Sequence, residues 1–217
     1  MIIAIDGPAG SGKTTVAKLL SKTLGFLYLD TGAMYRTLTL KALWESCNLD
    51  DVKALVDLAK NLSLKFSKEN VYLDGEDVTF QIRTPMVDKN ISKVVSYPEV
   101  RNVMVELQRL IIKGKNYVVE GRDITTVVCP DAEFKFYLDA DLEVRAKRRT
   151  RDFIEKNIKV DLKEVLEDLK RRDEADKNRE VGALKISKDA IYIDTTNLSI
   201  DEVIKTMLKY IKFKNIK

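Results

Sequence analysis

The stretch Gly7-Pro8-Ala9-Gly10-Ser11-Gly12-Lys13-Thr14-Thr15 is the most informative part of this chain. It matches the pattern G-x-x-x-x-G-K-[ST], in which glycines let the backbone curl so that several N–H groups point at an anion. The apolar run Ile2–Ile5 before it predicts a buried parallel strand. Residues 14–22 after it predict a helix, whose N-terminus favours negative charge. The sequence therefore predicts a phosphate-binding loop that holds a nucleoside triphosphate.

Individual residues of this loop have distinct expected roles. Lys13 can reach the β- and γ-phosphates, and the Thr14 hydroxyl can ligate Mg²⁺. Glu120 ends the strand-like run Tyr117–Val119, where its carboxylate can hold a Mg²⁺-bound water. The predicted triphosphate-binding residues are Gly7, Pro8, Ala9, Gly10, Ser11, Gly12, Lys13, Thr14 and Thr15. The alternative, a glycine-rich turn with no ligand, is disfavoured because strand, loop and helix agree.

Composition excludes several kinds of catalysis. The chain has 217 residues, of which 45% are apolar and 33% charged, so it can form a sizeable core as one domain or one domain with an insert. It contains no histidine, which excludes Ser-His-Asp, Cys-His and histidine–metal chemistry. Cys47 and Cys129 form no CxxC or zinc spacing and are expected to be reduced, buried thiols.

Charge and hydropathy bear on partners and location. No run approaches the ~20 apolar residues of a membrane span, and Met1–Asp6 lacks the regions of a signal peptide. We therefore expect a cytoplasmic protein with no membrane contact. The net charge is +4, and basic residues gather at 145–151 and 170–172. Nucleic-acid binding is one explanation, but no stacking aromatics are interleaved, which favours solvated helix faces.

Strand-like and helical segments alternate along most of the chain. The predicted strands are Ile2–Ile5, Phe26–Leu29, Tyr117–Val119, Phe134–Leu138 and Ile191–Ile193. This order predicts an α/β fold of the P-loop NTPase type, with a five-stranded parallel sheet flanked by helices. Ligands of such sheets bind beyond the carboxyl ends of the strands.

One segment departs from this alternation. The short runs Leu64–Phe66, Val71–Leu73 and Val78–Phe80, punctuated at 67–70 and at Asp74-Gly75, predict a small antiparallel β insert. We place this insert at residues 62–86 and the core at 1–61 and 87–217, with a helical lid at about 145–160. The alternative is that these runs are edge strands of the main sheet.

Three further clusters suggest a second anion site. Thr31 is a predicted N-cap of the helix that carries Arg36, and Gly121-Arg122-Asp123 follows a buried strand. Arg172, Asp176 and Arg179 are spaced to share one helix face. Arginine grips phosphate through two parallel bonds. A surface arginine, a buried Arg–Asp pair and a surface ion-pair ladder are the respective alternatives. Arg145, Arg148 and Arg149 also share a face and could close over bound phosphates.

Together these segments resemble the cytidylate kinases of bacteria, a family of P-loop nucleoside monophosphate kinases. The resemblance runs nearly end to end and includes the β insert. Its matching stretches are Ile5–Lys13, Leu29–Arg36, Gly121–Asp123, Thr126–Ala132, Arg172–Arg179 and Asp194–Ile200.

The resemblance implies a site and a reaction. ATP would occupy the loop with Mg²⁺, and CMP or dCMP would occupy the second site. In the family's pattern Ser92, Arg101 and Asp123 read the cytosine. The implied CMP-binding residues are Thr31, Arg36, Ser92, Arg101, Arg122, Asp123, Arg172, Asp176 and Arg179. The implied catalytic residues are Lys13, Arg122 and Arg149. A monomer that binds no nucleic acid is expected.

The chain departs from the family at a few positions. Thr125 stands where glycine is usual, Cys129 where phenylalanine is expected, and Thr31 replaces a frequent serine but keeps its hydroxyl. Two other functions stay open. One is a P-loop kinase with another acceptor, such as UMP or dTMP. The other is an NTP-dependent RNA-binding switch that uses the basic helices.

Overall fold

The computed structural model describes residues 1–67, 70–155 and 158–214. Contacts divide the chain into two compact units. The first comprises Met1–Tyr28 and Gly114–Lys217, and the second comprises Leu29–Lys113.

The described residues form eight strands and eight α-helices. In chain order they are β1 (Ile2–Asp6), α1 (Lys13–Leu24), β2 (Leu27–Asp30), α2 (Thr31–Trp44), α3 (Val52–Lys60), β3 (Leu64–Ser67), β4 (Asn70–Leu73), β5 (Glu76–Asp77), α4 (Pro85–Val94), α5 (Pro98–Ile112), β6 (Tyr117–Gly121), β7 (Phe134–Asp139), α6 (Leu142–Glu155), α7 (Leu162–Lys177), β8 (Ile191–Asp194) and α8 (Ile200–Lys214). A 3₁₀ turn at Gln81–Arg83 and a π-helical turn at Ile124–Val128 complete them.

The main sheet has five strands in the order β2-β6-β1-β7-β8. Strand β1 lies at its centre and pairs in parallel with β6 and β7, while β8 extends the sheet from β7. The five strands and the parallel sheet predicted from the sequence are confirmed. The register aligns Asp6 of β1 with Gly121 of β6 and with Tyr137 of β7. Strand ends that carry polar residues therefore meet at one edge.

The core of the first unit forms between the strands and helices α1 and α8. Strand residues Ile3, Ile5 and Phe136 are almost fully buried, as expected for β-branched and aromatic residues of a parallel sheet covered by helices. Ala17 and Leu20 pack from α1 and Met207 from α8. A smaller cluster joins Ala146 of α6 to Val165 and Leu169 of α7.

The second unit contains the separate antiparallel sheet β3-β4-β5. Asp74 and Gly75 both have positive φ, as a tight hairpin turn requires. The predicted third strand at Val78–Phe80 is wrong, because β5 is Glu76–Asp77. The Asp77 carboxylate accepts bonds from Thr79 N and Oγ1, which turns the chain away from the sheet. Residues 68–69, within the predicted 67–70 turn, lie outside the described residues.

Two helix starts have different caps. Ser199 and Glu202 form a capping box at α8, in which each side chain accepts from the other residue's backbone N–H. Thr31 is not the N-cap of α2, however, because Asp30 accepts from Ala33 N at 2.8 Å and Thr31 is already helical. Aspartate is at least as good a cap as threonine, and it is one residue earlier.

Within the described ranges, the structure has no helix that is both long enough and apolar enough to cross a membrane. Cys47 and Cys129 are free thiols; Cys129 is buried as predicted, whereas Cys47 is only partly so.

Gly7 begins the loop in a conformation that other residues rarely adopt. Its φ is +151°, and a Cβ built there would stand 2.0 Å from the carbonyl oxygen of Leu138. The loop can therefore leave β1 only because position 7 has no side chain.

We expect Gly7→Ala to destabilise the protein by about 2–5 kcal/mol, since it combines backbone strain with a clash against a fixed strand. Gly25→Ala is the control, because Gly25 has φ +66° but nothing within 4 Å of its built Cβ; it should cost only about 1–2 kcal/mol. Urea unfolding measures both. Equal losses would contradict the role of the close approach.

Candidate functional site

The predicted loop connects β1 to α1, as the strand–loop–helix pattern requires. Lys13, the first residue of α1, is buried. Its ammonium donates to the Pro8 carbonyl at 2.7 Å and to Ser11 Oγ at 3.4 Å. Backbone N–H groups at the start of α1 have no partners within the helix and carry partial positive charge. The loop is therefore a cationic cradle suited to phosphate.

Side chains from distant parts of the first unit hold this loop. Arg145 of α6 donates to the Ala9 carbonyl at 3.1 Å, and Thr195 donates to the Ser11 carbonyl at 3.2 Å. Arg148 in turn donates to Thr195 Oγ1 and O. The sequence allows Arg145 and Arg148 to close over bound phosphates, and the structure shows that they also hold the backbone of the loop and of Thr195.

Thr14 and Glu120 form a pair beside the loop. Thr14 Oγ1 donates to Glu120 Oε1 at 2.6 Å, and the Tyr28 hydroxyl donates to the same oxygen at 3.1 Å. Glu120 is buried. A hydroxyl and a carboxylate in contact are a set of hard oxygen donors that fits Mg²⁺.

A second cationic group follows β6. Arg122 Nε donates to Asp176 Oδ2 at 2.7 Å, and Arg179 forms an ion pair with the other oxygen of Asp176. The predicted shared helix face of Arg172, Asp176 and Arg179 is wrong in one respect, since α7 ends at Lys177 and Arg179 lies beyond it. The turn past the helix end still returns Arg179 to Asp176.

Burial and neighbouring charges shift the pKa values of this group. Burial lowers the pKa of Lys13, and the positive charge of Arg122 lowers it further. Burial lowers the pKa of Arg122, but the negative charges of Asp176 and Glu120 outweigh burial, so the pKa is raised overall. Burial raises the pKa of Asp176, but the positive charges of Arg122 and Arg179 outweigh burial, so the pKa is lowered overall. Arg122 and Asp176 are therefore an ion pair at neutral pH, whereas burial disfavours the charged form of Lys13, which a bound anion would favour.

Arg145 also belongs to a buried ion pair. Its Nη1 lies 2.6 Å from Asp173 Oδ2, and both side chains are at most 10% exposed. Within the described residues Asp173 Oδ1 accepts no hydrogen bond. The pair joins α6 to α7 and, through Ala9, to the loop.

Asp6, at the end of β1, is fully buried. Its carboxylate accepts from Ile124 N, Thr125 N and Thr125 Oγ1 at 2.6–2.8 Å. Burial is the main cause that raises the pKa of Asp6 to about 6. Thr125, which departs from the family pattern, thus supplies two of the three donors.

The second unit places Arg36 among fixed partners. Arg36 Nη2 lies 2.6 Å from Asp88, and Nη1 donates to the Ile82 carbonyl at 3.1 Å. Arg83 reaches the capping carboxylate of Asp30 at 3.2 Å. Two Arg–Asp pairs therefore connect Asp30 and Arg36 to residues 82–88, and sequence reasoning identified only Arg36 among their members.

Other predicted residues of this unit differ in exposure. Arg101 is 2% exposed and its guanidinium lies 5.4 Å from the centre of the Tyr35 ring, a cation–π distance. Thr31 is buried, whereas Ser92 on α4 is exposed. The structure therefore gives Arg101 a fixed position and leaves Ser92 on the surface.

The predicted residues are thus partly gathered. Within the first unit, Thr14 contacts Glu120, and Asp176 contacts both Arg122 and Arg179. Arg149 instead packs its guanidinium 4.6 Å from the centre of the Phe153 ring, and Arg172 pairs with Asp168.

Sequence reasoning missed several buried carboxylates, among them Asp6 and Asp173. For Asp6 a signal existed, because an acidic residue at the end of a buried strand needs hydrogen-bond donors. For Asp173 the signal was its spacing, which places it on the same helix face as the core residues Val165 and Leu169. Asp176 follows on that face.

Comparison with known proteins gives a consistent result. A sequence model of the cytidylate kinase family matches residues 3–213. A cytidylate kinase of Caldanaerobacter subterraneus subsp. tengcongensis is 50% identical over 215 residues, which are 99% of this chain and 96% of that protein. One of Thermosipho melanesiensis is 51% identical and covers 98% and 97%. A crystal structure of an uncharacterized protein from Eubacterium ventriosum shares the fold, with a TM-score of 0.56, 17% identity and 98% of each chain covered.

We expect Arg145→Met to destabilise the protein by about 3–5 kcal/mol, because it leaves the buried Asp173 carboxylate without its cation. The control is Arg171→Met. Arg171 also pairs with an aspartate, Asp168, but its side chain is 80% exposed, so its loss should cost less than about 1 kcal/mol. Chemical unfolding at pH 7 distinguishes the two. A loss for Arg145→Met as small as the control's would contradict the importance of the buried pair.

Proposed function

The chain belongs to the cytidylate kinase family, and from this premise we propose how its residues transfer the γ-phosphoryl group of ATP. The enzyme phosphorylates CMP to CDP, and we extend the proposal to dCMP and dCDP. The observation that carries the assignment of residues is the cationic group of Lys13, Arg122 and Arg179 with its buried carboxylates. We further propose that the protein works in the cytoplasm as a monomer.

The reaction needs positioned charge rather than a base. An anionic oxygen of the CMP phosphate attacks the γ-phosphorus, and the bond from that phosphorus to the bridging oxygen of ADP breaks. The attacking oxygen already carries negative charge, so no proton has to be removed. This agrees with a chain that has no histidine. Catalysis then consists of alignment and of neutralising charge on the transferring oxygens.

Lys13 is the residue that we assign to the transferred group. Among the described residues, its ammonium bonds only neutral oxygens of its own loop, those of Pro8 and Ser11. Because burial disfavours its charge, a triphosphate in the loop would provide the missing counter-charge. The same interaction would strengthen as charge develops on the γ-phosphoryl oxygens.

Mg²⁺ fits beside the loop. We assign it to the Thr14 hydroxyl, with Glu120 acting through a bound water, since these are adjacent hard oxygen donors. When bound, the ion neutralises charge on the phosphate oxygens. Tyr28 holds Glu120 by a hydrogen bond and so fixes its orientation.

The acceptor residues are assigned by the family resemblance, and each unit is considered by itself. In the first unit these are Arg122 and Arg179 for the phosphate and Arg172 and Asp176 for the sugar. In the second unit they are Thr31 and Arg36. The pairing of Asp176 with two arginines supports this assignment, because one aspartate orients both guanidinium groups.

The choice of base follows from hydrogen-bond chemistry. Cytosine presents an N4 donor and an N3 acceptor, and uracil reverses both. An ionised aspartate only accepts and an arginine only donates, so Asp123 and Arg101, with Ser92, suit cytosine. Both Asp123 and Arg101 are buried, and a mispaired buried polar group is costly.

An acceptor panel tests the function. ADP release from ATP should require CMP or dCMP, with UMP, dTMP and AMP at least ~100-fold less efficient in kcat/KM. Turnover of UMP as fast as CMP would overturn the reading of the base. Slow hydrolysis that no acceptor stimulates, together with salt-sensitive RNA binding, would support the alternative of an RNA-binding switch.

Asp123→Asn should lower kcat/KM for CMP about 100-fold while changing the KM for ATP little, because the amide replaces one acceptor with a donor. Steady-state kinetics with each substrate varied measures this. Asp131→Asn is the control, since Asp131 is exposed and follows the same turn. Equal effects on CMP and ATP would contradict a role in base recognition.

Lys13→Met should reduce kcat at least ~1,000-fold, since it removes the charge nearest the transferring group. It should not lower stability at pH 7, because burial already disfavours the Lys13 cation. Lys22→Met, on the exposed end of α1, controls for the loss of a lysine. Retention of more than half of the activity would rule out our assignment of Lys13.

A further inference from the structure

Asp6 has no part in the reaction described above, yet both oxygens of its carboxylate accept hydrogen bonds. Oδ1 accepts from Ile124 N at 2.8 Å, and Oδ2 accepts from Thr125 N at 2.7 Å and from Thr125 Oγ1 at 2.6 Å. The residues it joins are at least 118 positions apart. Asp6 is 0% exposed and Thr125 is 1% exposed. Water therefore does not compete for these bonds.

The backbone of Asp6 holds the same segment from its other side. In the parallel pairing of β1 with β6, Asp6 aligns with Gly121. Two residues, Arg122 and Asp123, lie between this pairing and the bonds to Ile124 and Thr125. Asp6 therefore fixes the chain immediately before and immediately after the two residues.

The turn that follows is itself tightly bonded. Val127 N and Val128 N donate to the Asp123 carbonyl at 2.8 and 3.2 Å, and Cys129 N donates to the Ile124 carbonyl at 2.7 Å. This is a single π-helical turn, a form that recurs at functional sites. A displacement of Thr125 would therefore also displace Asp123, because both belong to this one hydrogen-bonded turn.

The arrangement is unfavourable for the carboxylate itself. Burial, with a smaller contribution from the charge of Asp123, raises the pKa of Asp6 to about 6 in spite of three hydrogen bonds. Since this pKa lies above the ordinary value of 3.8, ionisation of Asp6 costs stability as the pH rises from 3.8 towards 6, and the full cost applies at higher pH. A residue that lowers the free energy of unfolding at neutral pH is typical of functional sites.

We propose that Asp6 and the hydroxyl of Thr125 are positioning residues that hold Arg122 and Asp123 for the acceptor nucleotide. The role in catalysis rests on the proposed function, since it presumes that Arg122 and Asp123 bind CMP. The Asp6 carboxylate supplies the fixed acceptors. The backbone N–H groups of residues 124 and 125 donate two bonds whichever side chain stands at position 125, and the Thr125 hydroxyl donates a third. Neither side chain touches the substrate.

Thr125→Val removes the hydroxyl and keeps the shape of the side chain. We expect KM for CMP to rise about 5- to 10-fold, as for loss of a hydrogen bond to a carboxylate, while KM for ATP changes less than ~2-fold. Thr125→Ser should restore KM for CMP. Asp6→Asn should be more severe, since its amide opposes one N–H donor. Thr39→Val is the control, because Thr39 is also buried and its hydroxyl donates to the Tyr35 carbonyl of its own helix, its one side-chain bond in the described part of the chain.

Hydrogen exchange of the nucleotide-free protein separates this proposal from the proposed function. In Thr125→Val the amides of residues 123–128 should exchange at least ~10-fold faster, while those of β1 keep their rates. If exchange rises but the unmodified protein does not phosphorylate CMP, the proposed function fails and the positioning role stands. Unchanged exchange, or a serine variant as impaired as the valine variant, would overturn the positioning role.

Discussion

The first unit depends on carboxylates that compensate the positive charges buried within it. Lys13, Arg122 and Arg145 are each largely buried or enclosed, and removing an unpaired cation from water is expensive. Asp176 and Asp173 lie against Arg122 and Arg145, and Glu120 and Asp6 act on Lys13 over a longer distance. Lys13 alone among these three has no carboxylate in direct hydrogen-bonding contact within the described residues. It is therefore the position where an incoming anion gains most.

This charge balance connects the fold to the chemistry. The parallel sheet brings the ends of β1 and β6 together, and each end delivers a carboxylate, Asp6 and Glu120. One carboxylate orders a turn, and the other faces the Thr14 hydroxyl. Transfer between two phosphates requires cations in fixed places and the exclusion of water more than it requires a base. A chain without histidine is suited to that task.

Much of the fold could be predicted from the sequence, because the signals are local. Gly7–Thr15 contains its whole pattern in nine residues, and each strand of the main sheet is a short apolar run beside a helical one. Local signals also misled, as at β5, where Val78 is apolar and buried but the Asp77–Thr79 bonds end the strand first. What could not be predicted depends on pairs far apart in the chain. Asp6 with Thr125 and Arg145 with Asp173 become neighbours only through strand order and helix packing.

We assign the loop and the arginines to transfer of a phosphoryl group and not to its release to water. Phosphorus-31 NMR of the unmodified protein with ATP, Mg²⁺ and CMP distinguishes the two. ADP and CDP should appear in equal amounts, with no more inorganic phosphate than in a sample that lacks the protein. Inorganic phosphate that forms at the same rate with and without CMP would overturn this assignment.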